Sequence, residues 1–213
     1  MSVSHSEVPS RSLAGMVRDA LGAGGLFHAG GFEVRAAQVV LGERIAEAFA
    51  GGEGLIAESA TGTGKTVAYL VPALLAPGRT LISTGNHELQ EQLIRKDIPQ
   101  VQQVLGVRRR VVLLKGRSNY LCRLRAANVP GALLPAFERI QAWSEATLVG
   151  DLAEAPGLLP ADPLRAAITA DADQCFGASC GLFDRCFVQK ARREAAEADV
   201  VVVNHHLFLA DRR

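Results

Sequence analysis

Eight consecutive residues carry the strongest chemical signal in the sequence: Ser59, Ala60, Thr61, Gly62, Thr63, Gly64, Lys65 and Thr66. Cradling phosphate oxygens takes backbone N–H groups that curl around them, so side chains must be absent at the closest approach. Gly62 and Gly64 meet that need. Lys65 offers a point charge to the outer phosphates and Thr66 a hydroxyl for Mg²⁺. A helix that begins here adds its positive end to the anion site. The pattern predicts a phosphate-binding loop for ATP or another nucleoside triphosphate, with Ser59 standing where the general motif has its first glycine. Upstream, Arg35 and Gln38 open a helix. A glutamine amide can pair with N6 and N7 of adenine, although on its own a helical glutamine reads as a solvated side chain.

The second chemical signal is four thiols. Cys122 stands far from a trio, Cys175, Cys180 and Cys186, spaced C-x4-C-x5-C. Structural zinc favours paired, tight C-x2-4-C knuckles, and no C-x2-C occurs in this chain. Iron–sulfur clusters also use four thiolates and accept looser spacing. Spacing alone leaves a cluster, zinc and unligated cysteines open. The tandem His205-His206 is a weaker metal candidate, because adjacent residues of a strand point to opposite faces; structural roles are expected there.

These residues need elements to position them. Apolar residues make up 48% and charged residues 21% of the 213 residues, which suits one globular domain or a domain with an insert. The formal net charge of +1 leaves any nucleic-acid surface to local clustering. No apolar run is long enough to span a membrane, and the polar start lacks the apolar core of a signal peptide. A cytoplasmic protein with reduced cysteines is expected.

Leu13, Met16, Val17 and Leu21 predict a short helix, and a second fits Glu33 to Phe49. Gly54 to Ala57 is expected as a short buried strand leading into the phosphate loop, followed by a helix to Leu75 that Pro72 shortens or kinks. Thr80 to Ser83 reads as a strand, Glu88 to Arg95 as a helix, and Val111 to Leu114 as a third strand. The alternation breaks after Lys115 and resumes with Val200-Val201-Val202-Val203, too apolar for anything but a buried strand. The expected fold is therefore α/β, a largely parallel sheet with a mostly helical insert. That insert shows little apolar periodicity of its own.

The blocks follow one another in a specific order: Arg35 and Gln38; Glu58 through Thr66; Tyr69-Leu70-Val71-Pro72-Ala73-Leu74; Ile82-Ser83-Thr84-Gly85-Asn86 leading to Leu89-Gln90-Glu91-Gln92-Leu93. Then come Leu114-Lys115-Gly116-Arg117-Ser118-Asn119-Tyr120-Leu121-Cys122, the cysteine trio, and Val203-Asn204-His205-His206-Leu207-Phe208-Leu209-Ala210-Asp211. From about residue 30 onward this succession resembles the bacterial DinG-type DNA helicases, especially the YoaA branch, relatives of XPD. The resemblance implies a superfamily 2 ATP-dependent helicase acting on single-stranded or forked DNA, in repair or replication, with a RecA-like P-loop sheet domain interrupted by a 4Fe–4S cluster insert.

Carried over by the resemblance, Gln38 is the adenine reader, and Lys65 and Thr66 are the catalytic phosphate and Mg²⁺ ligands. Thr84, Asn86 and Gln90 fall in the motif that grips the DNA backbone. Cys122, Cys175, Cys180 and Cys186 are the cluster ligands. Arg117, Arg123, Arg125 and Arg185, beside the cysteines, would suit phosphate contacts. The implied division is a lead-in over 1–30, a first motor part over 31–115, the cluster insert over 116–191 and a return strand over 192–213. No Asp-Glu dipeptide occurs, whereas the resembled enzymes need one to hold Mg²⁺ and activate water. The expectation is an N-terminal part of a longer motor, inactive alone; the alternative is a non-catalytic module that binds nucleotide and metal.

Overall fold

The computed structural model describes residues 11–210. The first ten residues of the expected lead-in, and the last three residues of the chain, lie outside the described residues. Contacts divide the protein into two compact units, one running to Ile82 and from Asn86 to Val111, the other formed by Ser83–Gly85 and everything from Val112 onward.

In the first unit, α1 (Leu13–Leu21) starts at Ser12, whose hydroxyl accepts the Gly15 N–H. It is followed by α2 (Leu26–Ala29), α3 (Ala36–Gly51) and α4 (Lys65–Leu75). α1, α3 and α4 pack on one another, burying Val17, Leu21, Ala46, Ala68, Leu70 and Val71. Each large apolar side chain buried in this way contributes roughly 1.5–3 kcal/mol. Gly42 lets α1 and α3 approach, since a Cβ there would lie 2.9 Å from Val17 Cγ1 and 3.1 Å from Leu21 Cδ1. The same two helices are joined by a fork–fork pair in which Arg18 Nε and Nη2 donate to Glu43 Oε1 and Oε2 at 2.7 and 2.8 Å. α4 runs through Pro72 and stops three residues later, as a proline in the last turn requires. Next come β1 (Thr80–Thr84), α5 (His87–Gln92), a π-helical stretch Leu93–Asp97, and α6 (Ile98–Leu105).

The sheet is small and parallel, in the order β1-β3-β2, with β2 at Val111–Leu113 and β3 at Val200–Asn204. β3 is its centre: Val200 to Val203 are all buried, and the Leu114 N–H donates to Val202 O at 2.9 Å beyond the end of β2. Asn204 ends the strand and caps α11 (His205–Ala210) by accepting the Leu207 N–H at 2.6 Å. His205 and His206 therefore sit in the first turn of a helix rather than in a strand.

One strand expectation is corrected. Gly54–Ala57 forms no strand, and its apolar residues are exposed, Leu55 at 43% and Ile56 at 101%. A short apolar run becomes a strand only where a neighbour supplies the hydrogen-bond ladder. The three paired strands among the described residues do not include it.

The region between β2 and β3 holds α7 (Arg123–Ala126), α8 (Leu134–Ala146), α9 (Pro163–Ile168) and α10 (Phe187–Ala196). This region has an apolar core that its lack of periodicity did not indicate. Tyr120, Leu121, Ile140, Leu152, Leu158, Leu164, Ile168 and Phe187 are buried together, with Trp143 and Phe137 against them. Half of that core comes from irregular segments, so no single window shows a period. A nearly buried ion pair joins the entrance of the region to its middle, Lys115 Nζ to Asp151 Oδ2 at 2.6 Å.

Candidate nucleotide loop and cysteine cavity

The phosphate loop lies wholly in the first unit. Gly62 and Gly64 have φ of 78° and 83°, the left-handed region that glycine adopts without a Cβ penalty. Gly64 caps α4, so the helix's free N–H groups begin at Lys65. Two side chains from the start of α3 hold the loop backbone. Arg35 Nη1 donates to Gly62 O at 2.6 Å, and Gln38 Nε2 donates to Gly64 O at 3.0 Å. The Gln38 amide fills the space that a Cβ on Gly64 would take.

Within the loop, the Ser59 and Thr63 hydroxyls share a hydrogen bond at 2.6 Å, and Thr63 donates to Ala60 O. Lys65 Nζ lies across the loop, donating to Ser59 O at 2.6 Å and Ala60 O at 2.7 Å. Its ammonium is thus held on the loop's own carbonyls. Thr66 carries a hydrogen bond to the Tyr69 hydroxyl. Burial pushes the Tyr69 phenol above its ordinary range, with the Thr66 bond opposing that shift. Tyr69 was not singled out by sequence; its place three residues after Thr66 on one helix is the signal that finds it.

The structure thus gathers Arg35, Gln38, Ser59, Ala60, Thr61, Gly62, Thr63, Gly64, Lys65 and Thr66 at one place. The residues expected at DNA are arranged differently. Thr84 is 4% and Gln90 1% exposed. Gln90 Oε1 bonds His87 Nδ1 at 3.1 Å, and its Nε2 is buried without a partner. Asn86 Oδ1 accepts the Leu89 N–H and caps α5. Gly85, Asn86, His87, Glu88 and Gln92 are exposed in this stretch. In the second unit, Ser83 Oγ and His205 Nδ1 are hydrogen-bonded at 2.7 Å, a contact no sequence pattern indicated.

The cysteines also lie in the second unit. All four are free thiols and half-buried. They line one cavity of about 40 Å³ together with Arg117, Arg123, Leu124 and Val188. Zinc would draw its sulfurs to about 2.3 Å from one point, and among the described residues no three His, Cys, Asp or Glu are placed to hold a single ion. The four thiols line this one cavity without a disulfide between them, and thiolates are the donor type that both zinc and iron–sulfur groups take. Arg123 stacks on the Phe187 ring at 4.3 Å from the centroid and donates to Arg185 O at 3.2 Å. Arg125 donates to the carbonyls of Ala166 and Ala167.

No family model matches the chain. Among curated proteins it is 42% identical over 188 residues to the ATP-dependent DNA helicase YoaA of Escherichia coli, covering 85% of this chain and 30% of that protein. It is 34% identical over 209 residues to the ATP-dependent helicase DinG of Mycobacterium tuberculosis, covering 83% and 31%. To the 3'-5' exonuclease DinG of Bacillus subtilis it is 32% identical over 197 residues, covering 85% and 20%. Over these residues the chain belongs to the DinG/YoaA family. It spans less than a third of the length of these relatives, and the aligned stretch takes in most of both units. No helix among the described residues is long and apolar enough to cross a membrane.

Proposed function

We propose that this chain forms the nucleotide-gripping part of an ATP-dependent DNA helicase, a RecA-like motor domain interrupted over 116–191 by a 4Fe–4S insert, working in the cytoplasm on single-stranded or forked DNA. The observation that carries the proposal is the loop itself: two left-handed glycines, Lys65 across them, and Arg35 and Gln38 fastening them from α3. The names of the relatives support the helicase assignment.

In this reading ATP is held by the backbone N–H groups of Gly62 to Lys65 and by the Lys65 charge, while Thr66 takes the Mg²⁺. Phosphate binding draws the Lys65 ammonium off the Ser59 and Ala60 carbonyls. Gln38 reads adenine from a position it already holds beside Gly64. The DNA backbone meets the exposed Asn86 and His87 at the start of α5, the helix that Asn86 caps. Arg117 and Arg123 add positive charge near the strand. Cys122, Cys175, Cys180 and Cys186 would hold the cluster, which would supply a cross-link between distant parts of the insert.

Anaerobic purification tests the proposal directly. The expected product is brown, holds about four irons per chain, and loses most of its visible absorbance in Cys180→Ser. Colourless protein with one zinc per chain would keep the ligands and replace the cofactor. Protein that takes up neither metal nor ATP would sink the reading.

The absence of an Asp-Glu dipeptide favours a second reading for the chain taken alone, a nucleotide- and metal-binding module without turnover. DNA-stimulated turnover near ~1–10 s⁻¹ on the 213 residues would exclude the second reading, whereas the first expects turnover only when the rest of the motor is supplied.

A further inference from the structure

We infer that Arg123 is a positioning residue for the thiol cavity, fastening the Cys122 arm to the Cys186 arm before any metal group is bound. The inference rests on the reading of the four cysteines as one ligand set. Cys122 and Cys186 are remote in sequence and belong to different loops, so something other than chain connectivity must bring them to one cavity. Arg123 directly follows Cys122. Its guanidinium lies 4.3 Å from the centroid of Phe187, which directly follows Cys186, and its Nε–H bonds the carbonyl of Arg185, which directly precedes Cys186. One side chain therefore touches the residues on both sides of Cys186 from the residue beside Cys122.

The surroundings make that contact firm. Phe187 is 4% exposed and belongs to the apolar core, so its ring cannot turn away, and a cation over a sheltered ring is held more strongly than one over an exposed ring. The same ring lies against Gly150, whose φ is 70° and whose missing Cβ would fall inside the ring atoms. Gly150 O in turn accepts the Leu121 N–H at 2.8 Å, one residue before Cys122. On the other side of this arm the Cys122 N–H bonds Ile168 O at 2.7 Å. Protein contacts alone thus hold Cys122 and Cys186 at the cavity, and the guanidinium that stacks on Phe187 serves that task.

The test uses metal-free protein with Cys175→Ser and Cys180→Ser, so that Cys122 and Cys186 are the two remaining thiols. Bridging of the pair by dibromobimane is followed with time. Arg123→Ala is expected to slow bridging roughly tenfold, the factor that one cation–π contact and one hydrogen bond carry. Arg123→Lys, which keeps the charge but not the planar stack or the Nε–H, should recover only part of it. In protein with all four cysteines, Arg123→Ala should hold less iron per chain after dilution while its ATP affinity is unchanged. Equal bridging rates in parent and Arg123→Ala would overturn the inference, as would full recovery by lysine together with a loss confined to DNA affinity. If circular dichroism shows that Arg123→Ala unfolds, Phe187→Leu replaces it, retaining apolar bulk without the ring; an unchanged rate there overturns the inference equally. Parent protein that bridges readily yet never binds iron would instead defeat the cluster reading and leave the positioning role standing.

Discussion

The phosphate loop and the cysteine cavity solve the same problem in opposite ways. Each brings together residues that a single short stretch of chain cannot. The loop does so in the open. Its residues from Ser59 to Lys65 are mostly exposed, its shape comes from two left-handed glycines, and only Arg35 and Gln38 arrive from elsewhere. The cavity sits on a buried core, and its thiols are set by contacts spanning Leu121 to Phe187. A site made by local backbone geometry survives rearrangement around it. A site made by packing is lost when one packing contact fails. Substitutions that act on one site and spare the other test that difference.

The largest effect is expected from Gly150→Ala. The substitution forces a Cβ into the Phe187 ring at a φ of 70°. The left-handed conformation and the overpacking together cost about 2–5 kcal/mol. Thermal unfolding followed by Trp143 fluorescence, a residue packed on the same core, should shift strongly, while ATP binding stays as in the parent. If nucleotide affinity falls in step with the insert, the two sites are not independent and the comparison breaks.

Lys65→Ala is the reciprocal test. It removes a charge-assisted contact to phosphate worth about 1.5–3 kcal/mol, visible by calorimetry as a fall of one to two orders of magnitude in ATP affinity. Iron content and the unfolding of the insert should not change. Binding of ATP as tight as the parent's would remove the loop from consideration as the nucleotide site.

This contrast also explains what could be read in advance. The loop residues, and the helices and strands at Leu13–Leu21, Lys65–Leu75, Thr80–Thr84 and Val200–Asn204, are written in local pattern: glycines at fixed spacing, a helical period, four valines in a row. The four thiols were visible as residues, and their convergence on one cavity followed from the family likeness rather than from spacing. The core beneath them was not legible, because Tyr120, Leu121, Leu152 and Leu158 come from segments without a period. The Gly54–Ala57 stretch fails for a third reason. Its composition suits a strand, but strand formation depends on a neighbour, which no local pattern encodes. Nor did the sequence reveal that Arg123, chosen for its charge, would lie on an aromatic ring.

A smaller effect separates two roles for Gln38. Its amide holds Gly64 O at 3.0 Å in the structure, whereas the resemblance makes it the adenine reader. Gln38→Ala should weaken binding by roughly 1 kcal/mol if a single neutral hydrogen bond is lost. Comparing ATP with GTP sorts the roles. Equal weakening of both assigns Gln38 to loop geometry, and a loss confined to ATP assigns it to base reading. The geometry of the loop and the proposed contact predict some of each, with the ATP loss the larger.

The smallest effect lies one helix away from either site, at the Arg18–Glu43 fork that ties α1 to α3. The hydrogen bond from Arg18, followed by its charge, holds the Glu43 carboxyl below its ordinary value of 4.5, with partial burial opposing. A carboxyl whose folded value is depressed adds stability that is fully present above its unfolded value and is lost as pH falls through the folded one. Glu43→Gln should therefore be less stable than the parent at pH 7, and the two melting curves should converge as the pH drops below the ordinary carboxylate range. Arg18 is solvent-exposed, so the difference is small and shrinks with added salt. Because α3 carries Arg35 at its N-cap and Gln38 in its first turn, loosening this fork should also slightly weaken ATP binding while leaving iron content unchanged. A gap between parent and Glu43→Gln that persists unchanged into acid would mean the fork acts through packing, not charge.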